Sequence, residues 1–266
     1  MNAPSAALSD RERRAWRDDG FFVREAVFDA AEVDALRAAA ERVRAAAAAL
    51  AAAGRAYAVD GNRYVDAGAV TVQLEHGGES SALRVVEPFH HLDPTFERLV
   101  DDPRLVAPMR ELVGSPRVAL WTDKLNFKPP REGSGFRWHQ DSPYWAHACR
   151  HLDRLPNVML ALDDADAGNG CLRVVRGSHR AGLLPGRKDD GVLGPLFTDP
   201  AHIDLGAQVA AAVPAGSLVF FSPHTVHGSE PNRSDRARRA LVVTYQPAGH
   251  HQFKAPGERE TGAEAE

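Results

Sequence analysis

The residues in this chain best able to do chemistry lie in two short segments far apart in sequence. One reads Gly135-Phe136-Arg137-Trp138-His139-Gln140-Asp141 and the other Ser222-Pro223-His224-Thr225-Val226-His227-Gly228-Ser229. In an extended strand, residues two apart point to the same face, so His139 and Asp141 can aim an imidazole and a carboxylate at one point. His224 and His227 are both candidates for a third ligand. Two neutral imidazoles and one carboxylate on one face of an octahedron leave three positions open, which is what a non-haem iron(II) oxygenase needs. Two of those positions suit a bidentate 2-oxo acid, and the third suits molecular oxygen. An H-x-D pair alone is a weak signal. The same ligand set also serves a zinc-dependent hydrolase.

Such ligands need a rigid frame, and the bulk composition permits one. The chain has 266 residues, 44% hydrophobic and 26% charged, with a formal net charge of −4. That length suits a single β barrel with helical additions, able to bury a core without disulfide staples. No basic face argues for nucleic acid; acidic residues elsewhere balance the cluster Arg236, Arg238 and Arg239. Cys149 and Cys171 match no zinc-ligand spacing and read as free thiols, in keeping with a reducing cytoplasm. The N-terminal residues lack the layout of a signal peptide, and no apolar run reaches membrane-spanning length, so the expected location is cytoplasmic.

Caps and periodicity place the helices. Ser9 and Glu12 have capping-box spacing, so a short helix starts near residue 10 and closes at Gly20, with a buried strand at 21–23. Asp29 and Glu32 open a second helix. Val33, Leu36, Ala40, Val43, Ala47 and Leu50 fall on one face of it, and Gly54 stops it. Asp93-Pro94 and Asp102-Pro103 each read as an N-cap followed by proline, which predicts helices over 94–100 and 103–113. Residues 55–92 carry only short β-like pieces at 70–74 and 83–86, and Arg63, Tyr64 and His76 read by default as surface loop.

After Pro116 the character changes. Strand-like runs at 118–128, 155–163, 170–176, 217–221 and 239–246 alternate with turns, which indicates a barrel or sandwich and not a doubly wound sheet. The expected fold class is mainly β with flanking helices, in one domain over 1–248. The segment 249–266 is poor in apolar residues and reads as a disordered tail.

Several further motifs occur in a telling order: Asp19-Gly20-Phe21-Phe22-Val23, Trp138-His139-Gln140-Asp141, Gly168-Asn169-Gly170-Cys171-Leu172, Gly177-Ser178-His179, and His227-Gly228-Ser229 followed by Arg238. In this order they resemble the phytanoyl-CoA dioxygenase family of iron(II)/2-oxoglutarate-dependent oxygenases, and the resemblance runs to about Gln246. It implies a double-stranded β-helix of the jelly-roll, cupin-like type. It implies that His139, Asp141 and His227 are the metal ligands, and it selects His227 over His224 because the family's distal histidine precedes Gly-Ser. The implied cofactor and co-substrates are Fe(II), 2-oxoglutarate and molecular oxygen, and the implied reaction oxidises a small molecule while releasing succinate and carbon dioxide. Related halogenases have a small residue at the carboxylate position, so Asp141 implies oxygenation.

The distal carboxylate of 2-oxoglutarate suits a guanidinium, which forms paired charge-assisted hydrogen bonds. Strand alternation leaves Arg238 and Arg239 undecided, since both faces of that run are apolar. Family spacing favours Arg238. Ser229 resembles the family's hydroxyl near the same carboxylate. Asn126 shares a strand face with Lys124 and Lys128, and the resemblance makes it a candidate co-substrate contact, with Thr122 a weaker one of the same parity. Trp145 follows the metal motif closely enough to wall the pocket. A non-catalytic binding module of the same fold is the remaining alternative. The sequence names no substrate and no oligomeric state.

Overall fold

The computed structural model describes residues 7–78, 80–188 and 190–261. The first elements are α1 (Asp10–Asp19), β1 (Phe21–Arg24) and α2 (Ala30–Ala53). Both helices start at reciprocal caps, Ser9 with Glu12 and Asp29 with Glu32. Such caps satisfy backbone N–H groups that helical geometry leaves free, contributing about 1 kcal/mol each. Four strands follow: β2 (Arg55–Val59), β3 (Asn62–Ala67), β4 (Val70–Leu74) and β5 (Leu83–Glu87). The helices α3 (Pro94–Leu99) and α4 (Pro103–Val113) start at Asp93 and Asp102, whose carboxylates accept from Thr95 and Arg104 N–H. The remaining elements are β6 (Val118–Asn126), β7 (Phe136–His139), α5 (Ser142–Trp145), β8 (Asn157–Ala161), β9 (Leu172–Val175), β10 (Gln208–Ala211), β11 (Leu218–Phe221), β12 (His227–Ser229), β13 (Ala240–Pro247) and β14 (Glu260–Thr261).

The strands form two antiparallel sheets. The larger has the order β1-β11-β8-β13-β6-β5-β4-β3-β2, with β14 also paired to β6, and the smaller runs β10-β9-β12-β7. They face each other as a jelly roll. Met159, Ala161, Val219, Phe221 and Ala240 of the large sheet share an interior cluster with Leu172, Val174 and Ala211 of the small one. The opposite face of the large sheet presents Val158, Leu160, Leu218, Phe220, Leu241 and Val243 to the helices, where Val33, Leu36, Ala40, Val43 and Ala47 of α2 cover it. Burying a large aliphatic or aromatic side chain is worth about 2 kcal/mol, so the helical layer holds the large sheet rigid behind the roll's interior. The central strands are therefore apolar on both faces. Among the described residues no helix is long and apolar enough to cross a membrane.

Two regions depart from the sequence expectations. The β pieces expected at 70–74 and 83–86 are present as β4 and β5, but they belong to an antiparallel meander over residues 55–87 that extends the large sheet past β6 and takes in residues expected as surface loop. Asp60 and Gly61 take positive φ (48° and 76°) at the tip of its first hairpin, the geometry a tight two-residue turn requires. The segment 249–261, expected to be disordered, is packed. Phe253 stacks on Trp121 at 5.3 Å, Lys254 pairs with Glu87 at 2.9 Å, Arg259 binds Glu97 and Asp101 at 2.9 Å each, and β14 adds to β6. Its low apolar content misleads because one aromatic ring and several ion pairs fasten it instead of a hydrophobic face. Residues 262–266 of the expected tail lie outside the described residues.

Candidate metal centre and its two cavities

His139 and His227 sit directly opposite each other on the paired strands β7 and β12. Their ring centroids are 4.2 Å apart. Each Nδ1 is hydrogen-bonded to the carbonyl two residues earlier, His139 to Arg137 O at 2.7 Å and His227 to Thr225 O at 2.9 Å. A carbonyl only accepts, so each Nδ1 carries the proton and each Nε2 keeps a free lone pair. Asp141 Oδ1 lies 4.0 Å from His139 Nε2, and its Oδ2 lies 3.8 Å from His227 Nε2. The three ligand atoms are all within 4.8 Å of one another, a spacing at which one cation about 2 Å from each can be shared.

The alternation argument for His139 and Asp141 needs correction. Strand β7 ends at His139, and Asp141 has helical backbone angles (φ −77°, ψ −30°) at the start of α5. The turn out of the strand, and not strand periodicity, brings the carboxylate to the imidazoles. It is pinned there by Asp141 and Ser142 N–H groups, both donating to Pro223 O at 3.1 Å. Asn157 on β8 donates to Asp141 Oδ2 at 2.9 Å and is itself held by the Thr244 hydroxyl at 2.6 Å. Gln140 points the other way and ties three loop groups together: Gly182 O, His224 O and Leu184 N–H. His224 is turned from the triad, bonded to Ser142 at 2.9 Å and Asp153 at 2.7 Å.

The electrostatics suit a cation. Burial, reinforced by His227, pushes the His139 imidazolium down to about 3, so the ring is neutral at neutral pH. Burial works to raise Asp141, but His227, Lys124 and His139 outweigh it and hold the carboxyl below its ordinary value.

Two cavities meet at the triad. The inner one, about 100 Å³, lies within the roll and is lined by the three triad residues together with Asn126, Ser229 and Arg238, among others. Arg238 is buried; one terminal nitrogen donates to Gly170 O at 2.6 Å, and its Nε has no partner. Desolvation lowers it to about 10, which leaves it cationic. Behind Ser229, the buried Lys128 Nζ donates to the Ser229 hydroxyl at 2.8 Å and to Glu230 O. Burial, then Arg238 and Arg84, depress Lys128 to about 6. These donors without an anionic partner fit the distal carboxylate of a 2-oxo acid, and the two imidazoles with their carboxylate fit a divalent metal. Arg239 points to the helical side, donating to Asp163 at 2.8 and 2.9 Å and to Glu41 at 3.1 Å.

The outer cavity, about 660 Å³, opens on the other side of His139 and Asp141. Its walls include Tyr57, Tyr64 and Arg84 of the meander, Tyr144 and Trp145 of α5, and Phe253 of the C-terminal segment. Trp145 is fully buried, with Lys124 Nζ 5.7 Å from its ring. Asn126 and Lys124 line both cavities. Thr122 lies outside both linings, its hydroxyl donating to Glu87 at 2.9 Å. Tyr64 and His76 line the outer cavity, whereas Arg63 braces the carbonyls of Gly77 and Ser80.

Sequence reasoning missed Asn157, Arg84, Tyr144 and Phe253 and gave Lys128 no role of its own. Only Asn157 carried a usable signal, as an amide at the start of an otherwise apolar strand.

Comparison with known proteins agrees with this geometry. The family model of phytanoyl-CoA dioxygenase (PhyH) matches residues 16–240. The chain is 31% identical over 262 residues to the ectoine dioxygenase of Bordetella bronchiseptica, covering 90% of this chain and 75% of that protein. It is 32% identical over 191 residues to the L-proline trans-4-hydroxylase of Streptomyces griseoviridis, covering 65% and 70%. Among solved structures, EctD from S. alaskensis with 2-oxoglutarate and 5-hydroxyectoine matches with a TM-score of 0.71 at 25% identity, over 96% of this chain and 82% of that one. The carbocyclase SnoK from nogalamycin biosynthesis shares the fold, with a TM-score of 0.68 at 22% identity over 97% and 94%. The chain therefore belongs to the phytanoyl-CoA dioxygenase family and is a 2-oxoglutarate-dependent non-haem iron dioxygenase with a double-stranded β-helix fold.

Proposed function

We propose that His139, Asp141 and His227 hold iron(II), that Arg238, Ser229 and Lys128 receive the distal carboxylate of 2-oxoglutarate in the inner cavity, and that the outer cavity takes the small molecule to be oxidised. The observation that carries this reading is the convergence of three ligand atoms at the junction of the two cavities. Bound iron(II) supplies oxygen activation coupled to conversion of 2-oxoglutarate into succinate and carbon dioxide.

The protein's part is positional. The two Nδ1–H···O=C bonds fix the imidazole tautomers, and Asn157 fixes the carboxylate rotamer. Arg238 in the cavity wall, with Lys128 acting from behind the Ser229 hydroxyl, offsets the charge of a carboxylate that the apolar wall of Met159, Leu172, Phe221 and Val242 could not otherwise accommodate. Asn126 and Lys124, facing both cavities, align co-substrate with substrate, and Trp145 walls the substrate side. With a carboxylate at this position in place of a small residue, Asp141 would hold the metal and favour oxygenation over halogenation. Thr122 acts through Glu87 and not by contact with co-substrate. The free thiols Cys149 and Cys171 suit a reducing cytoplasm.

Anaerobic titration tests the assignment. One equivalent of iron(II) followed by 2-oxoglutarate should produce the visible charge-transfer absorption of an iron–2-oxo-acid chelate, and His227→Ala should abolish it. An unchanged band in that variant overturns the ligand set.

A further inference from the structure

One feature of the outer cavity answers to no part of the iron or co-substrate machinery. Strand β5 pairs with β4 through Val85 opposite Gln73 and Leu83 opposite Leu74, so Arg84 is the extra residue of a β-bulge. A bulge re-aims a side chain that regular alternation would send to the opposite face. Here it turns Arg84 onto the face carrying Val85 and Glu87, and the guanidinium lines the outer cavity.

That guanidinium is 94% buried in the sense that only 6% of Arg84 is exposed, and its Nε has no hydrogen-bond partner. Its terminal nitrogens donate to two uncharged oxygens, Gln73 Oε1 at 3.1 Å and Gly135 O at 2.8 Å. It lies over the Phe136 ring at 3.9 Å. No carboxylate of the described residues pairs with it. Glu75, whose charge it feels, spends Oε2 on Ser134 N–H at 3.0 Å and is not part of the cavity wall. The other cations of the wall differ: Lys254 pairs with Glu87, Arg137 with Asp190, and Lys124 stands 3.9 Å from Asp141. Tyr64 and Tyr144 are close enough to Arg84 to feel its charge, both line the same cavity, and neither hydroxyl has a hydrogen-bond partner among the described residues. Tyr144 also packs edge-on against His139 at 5.8 Å, which ties this donor group to the metal centre.

Glu75 acts on Arg84 only through space, and a buried cation without a hydrogen-bonded counter-charge is costly; an anion that fills the site lowers that cost. We propose that the substrate carries an oxyanion, a carboxylate or a phosphonate, and that Arg84 with the Tyr64 and Tyr144 hydroxyls receives it. This rests on the outer cavity being the substrate cavity, and it names the substrate class for that reading. Arg84 is then a specificity residue, holding the substrate by its charged end while another part faces the iron ligands.

The test uses calorimetry on protein loaded with zinc and saturated with 2-oxoglutarate, so that the inner cavity is filled. Benzoate, phenylphosphonate and neutral benzamide are titrated in turn. At least one anion should bind about tenfold more tightly than benzamide, the scale of a charge-assisted hydrogen bond. Whichever anion binds more tightly identifies the class. Arg84→Gln should erase the preference, and Arg84→Lys should restore part of it, while the affinity for 2-oxoglutarate is not weakened in either; removing the Arg84 charge only eases protonation of Lys128. If Arg84→Gln does not fold, Tyr64→Phe carries the test, since that hydroxyl braces nothing. Equal binding of anions and benzamide to the wild type, or an unaltered preference in the variants, overturns the proposal. Loss of 2-oxoglutarate affinity in Arg84→Gln instead would place this arginine with the co-substrate. If 2-oxoglutarate does not bind at all, the oxygenase reading fails separately, and the same anion titrations on metal-free wild type and Arg238→Gln still decide whether Arg84 holds an anion.

Discussion

The inner and outer cavities share His139 and Asp141 but are built on different terms. The inner one is small, closed by strands whose positions are fixed on both faces of the large sheet, and its polar groups all point to one chemistry. The outer one is several times larger and is walled by a hairpin meander, a short helix and the C-terminal segment. Elements inside the roll cannot move without disturbing two packed layers, whereas elements at its rim are free to differ. On the proposed assignment, the contrast places the common oxygenase chemistry where packing is most constrained and the choice of substrate where packing is least constrained.

The sharpest way to break this comparison is to remove a group that belongs to both cavities. Asp141→Ala should lower substrate-dependent succinate formation by more than the about hundredfold that loss of a ligand's supporting partner costs, with circular dichroism unchanged. Wild-type turnover in that variant would detach the triad from the chemistry. Next, Arg238→Met should raise the KM for 2-oxoglutarate about a hundredfold by removing paired charge-assisted bonds. Arg239→Met should leave that KM unaltered and instead lower stability by about 2 kcal/mol in urea unfolding, because it leaves the buried Asp163 with Arg37 alone, at 3.1 Å, among the described cations. Exchange of these two phenotypes would reverse the assignment.

A pH measurement sharpens the inner cavity further. Lys128 at about 6 is mostly neutral at pH 8, held down by burial, Arg238 and Arg84 against the opposing pull of Glu75 and Cys171. A carboxylate arriving beside it raises its pKa, so co-substrate binding takes up a proton. Affinity for 2-oxoglutarate should therefore fall as pH rises above 6, by up to about tenfold per unit, and Lys128→Met should flatten the profile. Calorimetry in two buffers of different ionisation enthalpy reads the proton directly. The smallest effect is expected at the outer rim. Phe253→Ala should raise the KM for the organic substrate about threefold by loosening the stack on Trp121, with the KM for 2-oxoglutarate unchanged. Equal changes in both constants would mean the two cavities are not independent.

The legibility of the chain follows the same division. The helices α1 to α4 could be read from Ser9, Asp29, Asp93 and Asp102, because a cap is a local contract between residues two or three apart. The strands after Pro116 stood out through apolar runs. Yet those runs, apolar on both faces because β13 and its neighbours are covered by helices on one side and the small sheet on the other, hid which of Arg238 and Arg239 points inward. Of the meander, β4 and β5 were legible as short apolar pieces, whereas the outer hairpin of β2 and β3 escaped notice because β2 is largely exposed and carries little apolar signal. The C-terminal segment escaped because its fastenings are charged pairs to residues more than a hundred positions away, as with Lys254 to Glu87. Lys128 and Arg84 looked like ordinary polar strand residues until the fold buried them.

By itself, the sequence singled out the three side chains proposed as metal ligands, the helix starts and the run of strands, since each is written in neighbouring residue types or short motifs. Tertiary structure alone decided that Asp141 reaches the imidazoles from a helical turn and that a bulge delivers Arg84 to the outer cavity, and it turned the preference for Arg238, which strand alternation could not make, into an observed inward orientation. Those outcomes depend on strand register and burial, which arise between distant segments and leave no mark on any one of them.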